Sequence, residues 1–198
     1  MDSQIDSSNN NNNNNTIGND QQNSISNNSS ATLIINQNIQ QIFADRIRLA
    51  AKRIQTGDYN GAIRLYSEAL KLDHSNHIVY GNRSAVYCRL GRYDKALHDA
   101  NKARDLCPNW SKAYYRQGIA LQFLQRYPDA LAAFASGLAK ESKSTQLLSA
   151  FVETAMKSPL RATLEPIYRQ LQVMNFDKSP FVISSVVGQE LLAASHYA

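Results

Sequence analysis

Apolar and polar positions alternate at helical spacing from residue 43 onward, and the pattern then repeats as a block. Ala62, Leu65, Tyr66 and Ala69 fall at i, i+3, i+4 and i+7, which places them on one face of an amphipathic helix. An offset of 34 carries Ala62 to Ala96 and Ala130, Tyr66 to Ala100 and Phe134, and Ala69 to Ala103 and Gly137. The same offset relates Ala50, Ser84 and Gly118, then Gly57, Gly91 and Gln125, then Tyr59, Tyr93 and Tyr127, then His74, Pro108 and Ser142. A period of this length marks stacked supersecondary units, each unable to bury its apolar face alone. Each unit reads as two antiparallel helices. Gly57 and Gly91 stand where the first helix must end, in a place suited to a left-handed cap. Pro108 stops the second helix of the middle unit. Small residues at 50, 84 and 118 face Ala62, Ala96 and Ala130, because only small side chains let two helix axes approach closely.

These positions predict repeats at 43–76, 77–110 and 111–144. After them the period loosens. Residues 145–180 read as a helical hairpin outside the consensus, with one amphipathic run from Gln146 to Met156 and a second that Pro166 breaks or restarts. Residues 181–198 read as the first helix of a further, truncated repeat, with Gly188 at the small position. The stripe Val182, Ile183, Val186, Val187, Leu191 and Leu192 is expected to lie unburied there.

Residues 1–40 follow no such pattern. They hold 13 Asn, 5 Gln and 7 Ser, with three Asp and no Lys or Arg. A stretch this polar cannot bury enough apolar surface to offset its ordering entropy, so a disordered tail is expected. The remainder therefore carries all 21 Lys and Arg against 13 of the 16 acids. That basic excess raises the question of nucleic acid, but no basic run of five occurs and the cations spread along every predicted helix, so no nucleic-acid partner is expected. No run of 18 apolar residues exists to cross a membrane. The N-terminus has no basic region, and the apolar cluster at 31–35 is too short for a signal peptide, so a cytoplasmic compartment is expected. Cys88 and Cys107 form no CxxC pair, and His74 and His77 have no acid or thiol cluster beside them. No nucleophile–base set, phosphate loop or metal motif is present, so neither an enzyme nor a cofactor is expected.

The 34-residue period, the small and aromatic positions and Pro108 together resemble the tetratricopeptide repeat. That resemblance implies an all-α fold, a right-handed superhelix of antiparallel helix pairs, in which the first helix of every pair lines a concave peptide-binding groove. In repeat one the groove positions are Ala44, Ile47, Arg48 and Ala51. In repeat two they are Ile78, Gly81, Asn82 and Ala85, and in repeat three Lys112, Tyr115, Arg116 and Ile119. The groove is then small and apolar at one end and cationic at the other, which suits an extended peptide with an acidic group and apolar side chains. The expected contact residues are Asn82, Lys112, Arg116, Tyr115, Ile47, Ile78 and Ile119. Co-chaperone members of the family hold the Glu-Glu-Val-Asp tails of heat-shock chaperones with five groove residues. This chain is similar to them at Asn82, Lys112 and Arg116 and departs at Ile47 and Ala51, which implies weak binding of chaperone tails. Segments beyond the consensus, such as 112–118, 130–138, 155–159 and 178–182, resemble the first repeats of a very long cytoplasmic scaffold of the same family. That resemblance implies a non-catalytic interaction scaffold linked to cell division, with possible cytoskeletal association.

Overall fold

The computed structural model describes the backbone of residues 16–196 and the side chains of residues 32–194. Among the described residues there are nine helices and no strand: α1 (Thr16–Gln55), α2 (Tyr59–Leu72), α3 (His77–Arg89), α4 (Tyr93–Leu106), α5 (Ser111–Phe123), α6 (Tyr127–Lys140), α7 (Thr145–Lys157), α8 (Arg161–Val173) and α9 (Pro180–His196). The chain divides into two units, residues 1–42 and 43–198.

Of the tail expected over 1–40, residues 1–15 lie outside the described residues. From Thr16 the backbone is helical, further toward the N-terminus than composition predicts. Every side chain from 32 to 38 is exposed, including Leu33, Ile34 and Ile35, so no tertiary burial holds those seven positions.

In the second unit consecutive helices pair and the pairs stack, α3 on α4, α4 on α5, α5 on α6 and α6 on α7. The close approaches lie where small residues meet. Ala50, Ser84, Ala62, Ala96 and Ala130 are all 0% exposed. The Ser84 hydroxyl donates to the Ala96 carbonyl at 2.8 Å, so α3 and α4 touch backbone to side chain. At Gly118 a Cβ would stand 2.5 Å from the Phe134 ring, which fills the space the glycine leaves.

The helix turns repeat as well. Gly57, Gly91 and Gln125 all take positive φ, at 79°, 68° and 60°. After each, the next backbone N–H reaches back to the last turn: Asp58 to Arg53, Arg92 to Tyr87 and Arg126 to Leu121, each at 2.9 Å. This is the Schellman arrangement, which satisfies otherwise orphaned carbonyls. The tyrosines after the first two turns then meet the next pair. Tyr93 stacks on Phe123 at 4.8 Å, and one repeat earlier Arg89 occupies the Phe123 position, 5.7 Å over the Tyr59 ring.

Two apolar clusters form. One joins α1, α2 and α3 around Ala62, Tyr66, Val79 and Val86. The other joins α5 through α9 around Leu131, Phe134, Leu147 and Phe151. Between them α4 turns inward a face of Ala96, Ala100 and Ala103 with one acid, Asp99, which is 1% exposed. Arg83 of α3 holds it through two bonds, Nε to Oδ2 at 2.7 Å and Nη2 to Oδ1 at 2.9 Å. Its remaining Nη1 donates to Ser67 Oγ of α2 at 2.8 Å, and its plane lies within 6 Å of the Tyr80 and Tyr87 rings. Burial alone would lower the Arg83 pKa, but the Asp99 hydrogen bond and charge raise it above the usual value.

Two expectations change beyond residue 144. Helix α8 starts at Arg161 and runs through Pro166 without a break. Pro166 lies exposed in the second turn, where its missing N–H removes the bond to the 162 carbonyl, and the burial of Leu164 and Leu171 outweighs that loss. The stripe expected to lie open on α9 is mostly covered: Ile183 and Val187 are buried, and Val182, Val186 and Leu191 pack at the cluster edge. The open side carries Phe181, 82% exposed, and Leu192, 63% exposed, and nothing lies within 4 Å of a Cβ built at Gly188.

Candidate functional site

Helices α3 and α5 lie side by side, and α5 continues the row to α7. Asn76 caps α3 by accepting from the Val79 N–H at 3.2 Å, which starts the helix just before Ile78. Ile78 and Asn82 are then one turn apart on α3. Lys112, Arg116 and Ile119 follow at i, i+4 and i+7 on α5, so they share one face.

The polar members lie on adjacent helices, Asn82 on α3 and Lys112 and Arg116 on α5. Lys112 is exposed and Asn82 and Arg116 are half-buried. Lys112 and Arg116 form no ion pair with any described residue, and the Asn82 side-chain amide has no hydrogen-bond partner among them. The Arg116 guanidinium rests 5.5 Å from the Tyr115 ring, which is itself 6.1 Å from Phe134 and anchored in the second cluster. Burial lowers the Arg116 pKa, and the nearby cation Arg89 adds to that, while Tyr115 and Cys88 oppose it. The Cys88 thiol of α3 is in turn pushed up to about 11 by burial, an effect Arg116 partly offsets. Arg116 is therefore a partly desolvated cation without an anionic partner among the described residues, with Cys88 and Arg89 of α3 nearby. A carboxylate entering there gains a charge-assisted hydrogen bond and relieves that desolvation.

The apolar members divide. Ile78 is 49% exposed and open to a ligand. Ile119 is half-buried at the edge of the second cluster, and Ile47 at the edge of the first, so each offers part of its side chain. Gly81, a groove position in sequence, is buried: a Cβ there would stand 2.7 Å from the Trp110 ring. Trp110 also meets His77 edge-on at 5.0 Å. The floor of the middle repeat is thus an indole as well as a glycine.

Sequence reading missed Trp110, Cys88 and the Arg83–Asp99 pair. A signal for the pair was present. Positions 83 and 99 are Leu49 and Leu65 one repeat earlier, and Gln117 and Ala133 one repeat later. Both depart from their repeat neighbours at once, and with opposite charge.

Among the described residues no helix is long and apolar enough to cross a membrane. No group of three His, Cys, Asp or Glu side chains among them is placed to hold a metal ion.

Residues 77–110 match the tetratricopeptide repeat family. Over 155 residues, 78% of this chain, the sequence is 59% identical to tetratricopeptide repeat protein 28 of Homo sapiens, of which it spans 6%. Over 110 residues, 53% of this chain, it is 40% identical to the protein STIP1 homolog of Dictyostelium discoideum, of which it spans 20%. The fold is similar to the first repeat domain of Spaghetti (RPAP3) bound to the HSP90 peptide SRMEEVD, with a TM-score of 0.57 and 26% identity over 59% of this chain and 93% of that one.

Proposed function

We infer that this all-α solenoid of tetratricopeptide repeats is a non-catalytic scaffold that holds a peptide segment of a partner protein between α1, α3 and α5. The observation that carries this reading is Arg116, a partly buried guanidinium without an anionic partner, one turn from the unpaired Lys112. The ligand is a segment with an acidic group at the α5 end and apolar side chains over Ile78, Ile119 and Ile47. Contact is partly exposed, so affinity falls as salt rises. Each charge-assisted hydrogen bond contributes about 1.5–3 kcal/mol, so Lys112→Ala/Arg116→Ala weakens binding by roughly 100-fold or more. Calorimetric titration of the full chain and the variant with an acidic peptide tests this. Equal affinity in both sets the reading aside.

A second reading is a co-chaperone module for heat-shock chaperone tails. It is favoured by the likeness to a repeat domain solved with an HSP90 peptide. Against it, Ile47 and Ala51 remove two polar contacts at the α1 end. At about 1.5 kcal/mol or more each, a micromolar affinity falls to about 100 μM or weaker. Ile47→Lys/Ala51→Asn should restore it if the groove is otherwise suited. A cytoplasmic scaffold acting in cell division and at the cytoskeleton is the matching cellular reading, supported by the likeness to a long repeat protein. A tagged chain that stays off dividing-cell structures would set that part aside.

A further inference from the structure

We propose that the partner segment held at α3 and α5 runs on past α7, where a cleft between α7, α8 and the start of α9 takes one of its aromatic side chains. This rests on the groove reading above and adds a second contact to it.

The repeat register carries the groove face onto α7. An offset of 34 takes Tyr115 and Ile119 to Ser149 and Glu153, which are both exposed. Both line a cleft of about 680 Å³. Its apolar lining is Leu148 and Val152 of α7, Tyr168 of α8 and Pro180 of α9, each half-buried and so with surface left to cover. Leu148, Val152 and Tyr168 pack at the edge of the second apolar cluster, which fixes their places.

The preceding repeats show what belongs in such a space. Position 148 is Tyr80 and Tyr114 in the two repeats before it. Tyr114 lays its ring back along the turn before its helix, and its hydroxyl donates to the Pro108 carbonyl at 2.9 Å. The residue equivalent to Pro108 is Ser142, which also lines the cleft. Leu148 has neither the ring nor the hydroxyl, so the volume a tyrosine fills one repeat earlier is open here. Charge at the cleft agrees with the ligand of α5. Lys143 and Lys178 form no ion pair with any described residue, Asp177 offsets one of them, and Glu153 is held by Lys157 at 2.5 Å. One cation is left in excess, which suits an acidic segment. Packed helices lie about 8–10 Å apart, so the far side of α7 is about 12–15 Å from α5. About four extended residues at about 3.3 Å each span that distance.

The test titrates the full chain, read by NMR, with glycine–serine peptides blocked at both ends. One carries a single glutamate, and two others add a tyrosine four residues before or after it. The expected result is that one of the tyrosine peptides binds about tenfold tighter than the glutamate peptide. Leu148→Tyr, whose own ring fills the cleft, and Ser149→Trp at an exposed position of its lining are each expected to abolish that gain. Both leave the glutamate peptide's affinity unchanged and do not lower the melting temperature. No gain from either tyrosine, or a gain that survives both substitutions, overturns the proposal and leaves the groove reading standing. Self-association of the chain that Leu148→Tyr removes assigns the cleft to a second copy and also overturns it. No binding of any peptide at about millimolar concentration, or binding indifferent to Lys112→Ala/Arg116→Ala, overturns the groove reading and this proposal with it.

Discussion

Two helical glycines, Gly118 on α5 and Gly188 on α9, behave oppositely, and the difference is one of space. At Gly118 an added methyl would collide with the Phe134 ring, part of a fully buried side chain that cannot withdraw. At Gly188 the same methyl meets nothing within 4 Å. Gly118→Ala is expected to destabilise by about 1–3 kcal/mol through overpacking. Gly188→Ala is expected to stabilise by up to about 1 kcal/mol through helix propensity. Paired urea melts decide it, and the same sign for both would be a contradiction. Gln125 offers a second contrast. It holds the left-handed conformation that Gly57 and Gly91 hold at the same turn of their repeats. A side chain there is strained, so Gln125→Gly is expected to raise stability by roughly 0.5–1 kcal/mol. A loss would show that the Gln125 side chain does something the strain argument leaves out. These small and turn positions were legible in the sequence, because sterics at Ala50, Ser84, Gly57 and Gly91 restrict residue choice directly. The orientation of Trp110 over Gly81 was not, since it depends on a loop placing the indole across a helix.

At the scale of elements, α3 and α4 are joined by an ion pair at the positions that hold Leu49 and Leu65 one repeat earlier and Gln117 and Ala133 one repeat later. Arg83 and Asp99 make two bonds, with Ser67 tying in α2. Asp99→Ala leaves the Arg83 guanidinium part-buried and unpaired, at an expected cost of about 3–5 kcal/mol. The double substitution Arg83→Met/Asp99→Leu removes both charges and is expected to recover most of that loss. A double-mutant cycle with thermal melts measures it, and equal destabilisation by single and double variants would refute the account. Helix order and approximate ends were legible from the apolar period and from Pro108. The continuity of α8 through Pro166 was not, because it depends on how firmly Leu164 and Leu171 are held by other helices. Local sequence around a proline reports the local cost alone.

The whole molecule divides at residue 42, and among the described residues the apolar clusters draw on those from Phe43 onward. Deleting residues 1–40 is therefore expected to leave the melting temperature within about a degree, since the described residues of that stretch contribute nothing to either cluster. A drop of several degrees would show that the segment packs. The central claim is that the row of α3 and α5 positions is where a partner peptide sits, and that Arg116 and Lys112 draw it there. The sequence carried most of that row, since Asn82, Lys112 and Arg116 follow from the repeat register. It could not carry the partial burial of Arg116 beside the Tyr115 ring. The most direct test is an amide chemical-shift map of the isotope-labelled full chain titrated with SRMEEVD peptide at low salt. The account predicts that shifts concentrate on α3 and α5 around Asn82, Lys112 and Arg116 and fade as salt is added. Shifts confined to α4, α6 or α8, with α3 and α5 unmoved, would contradict it.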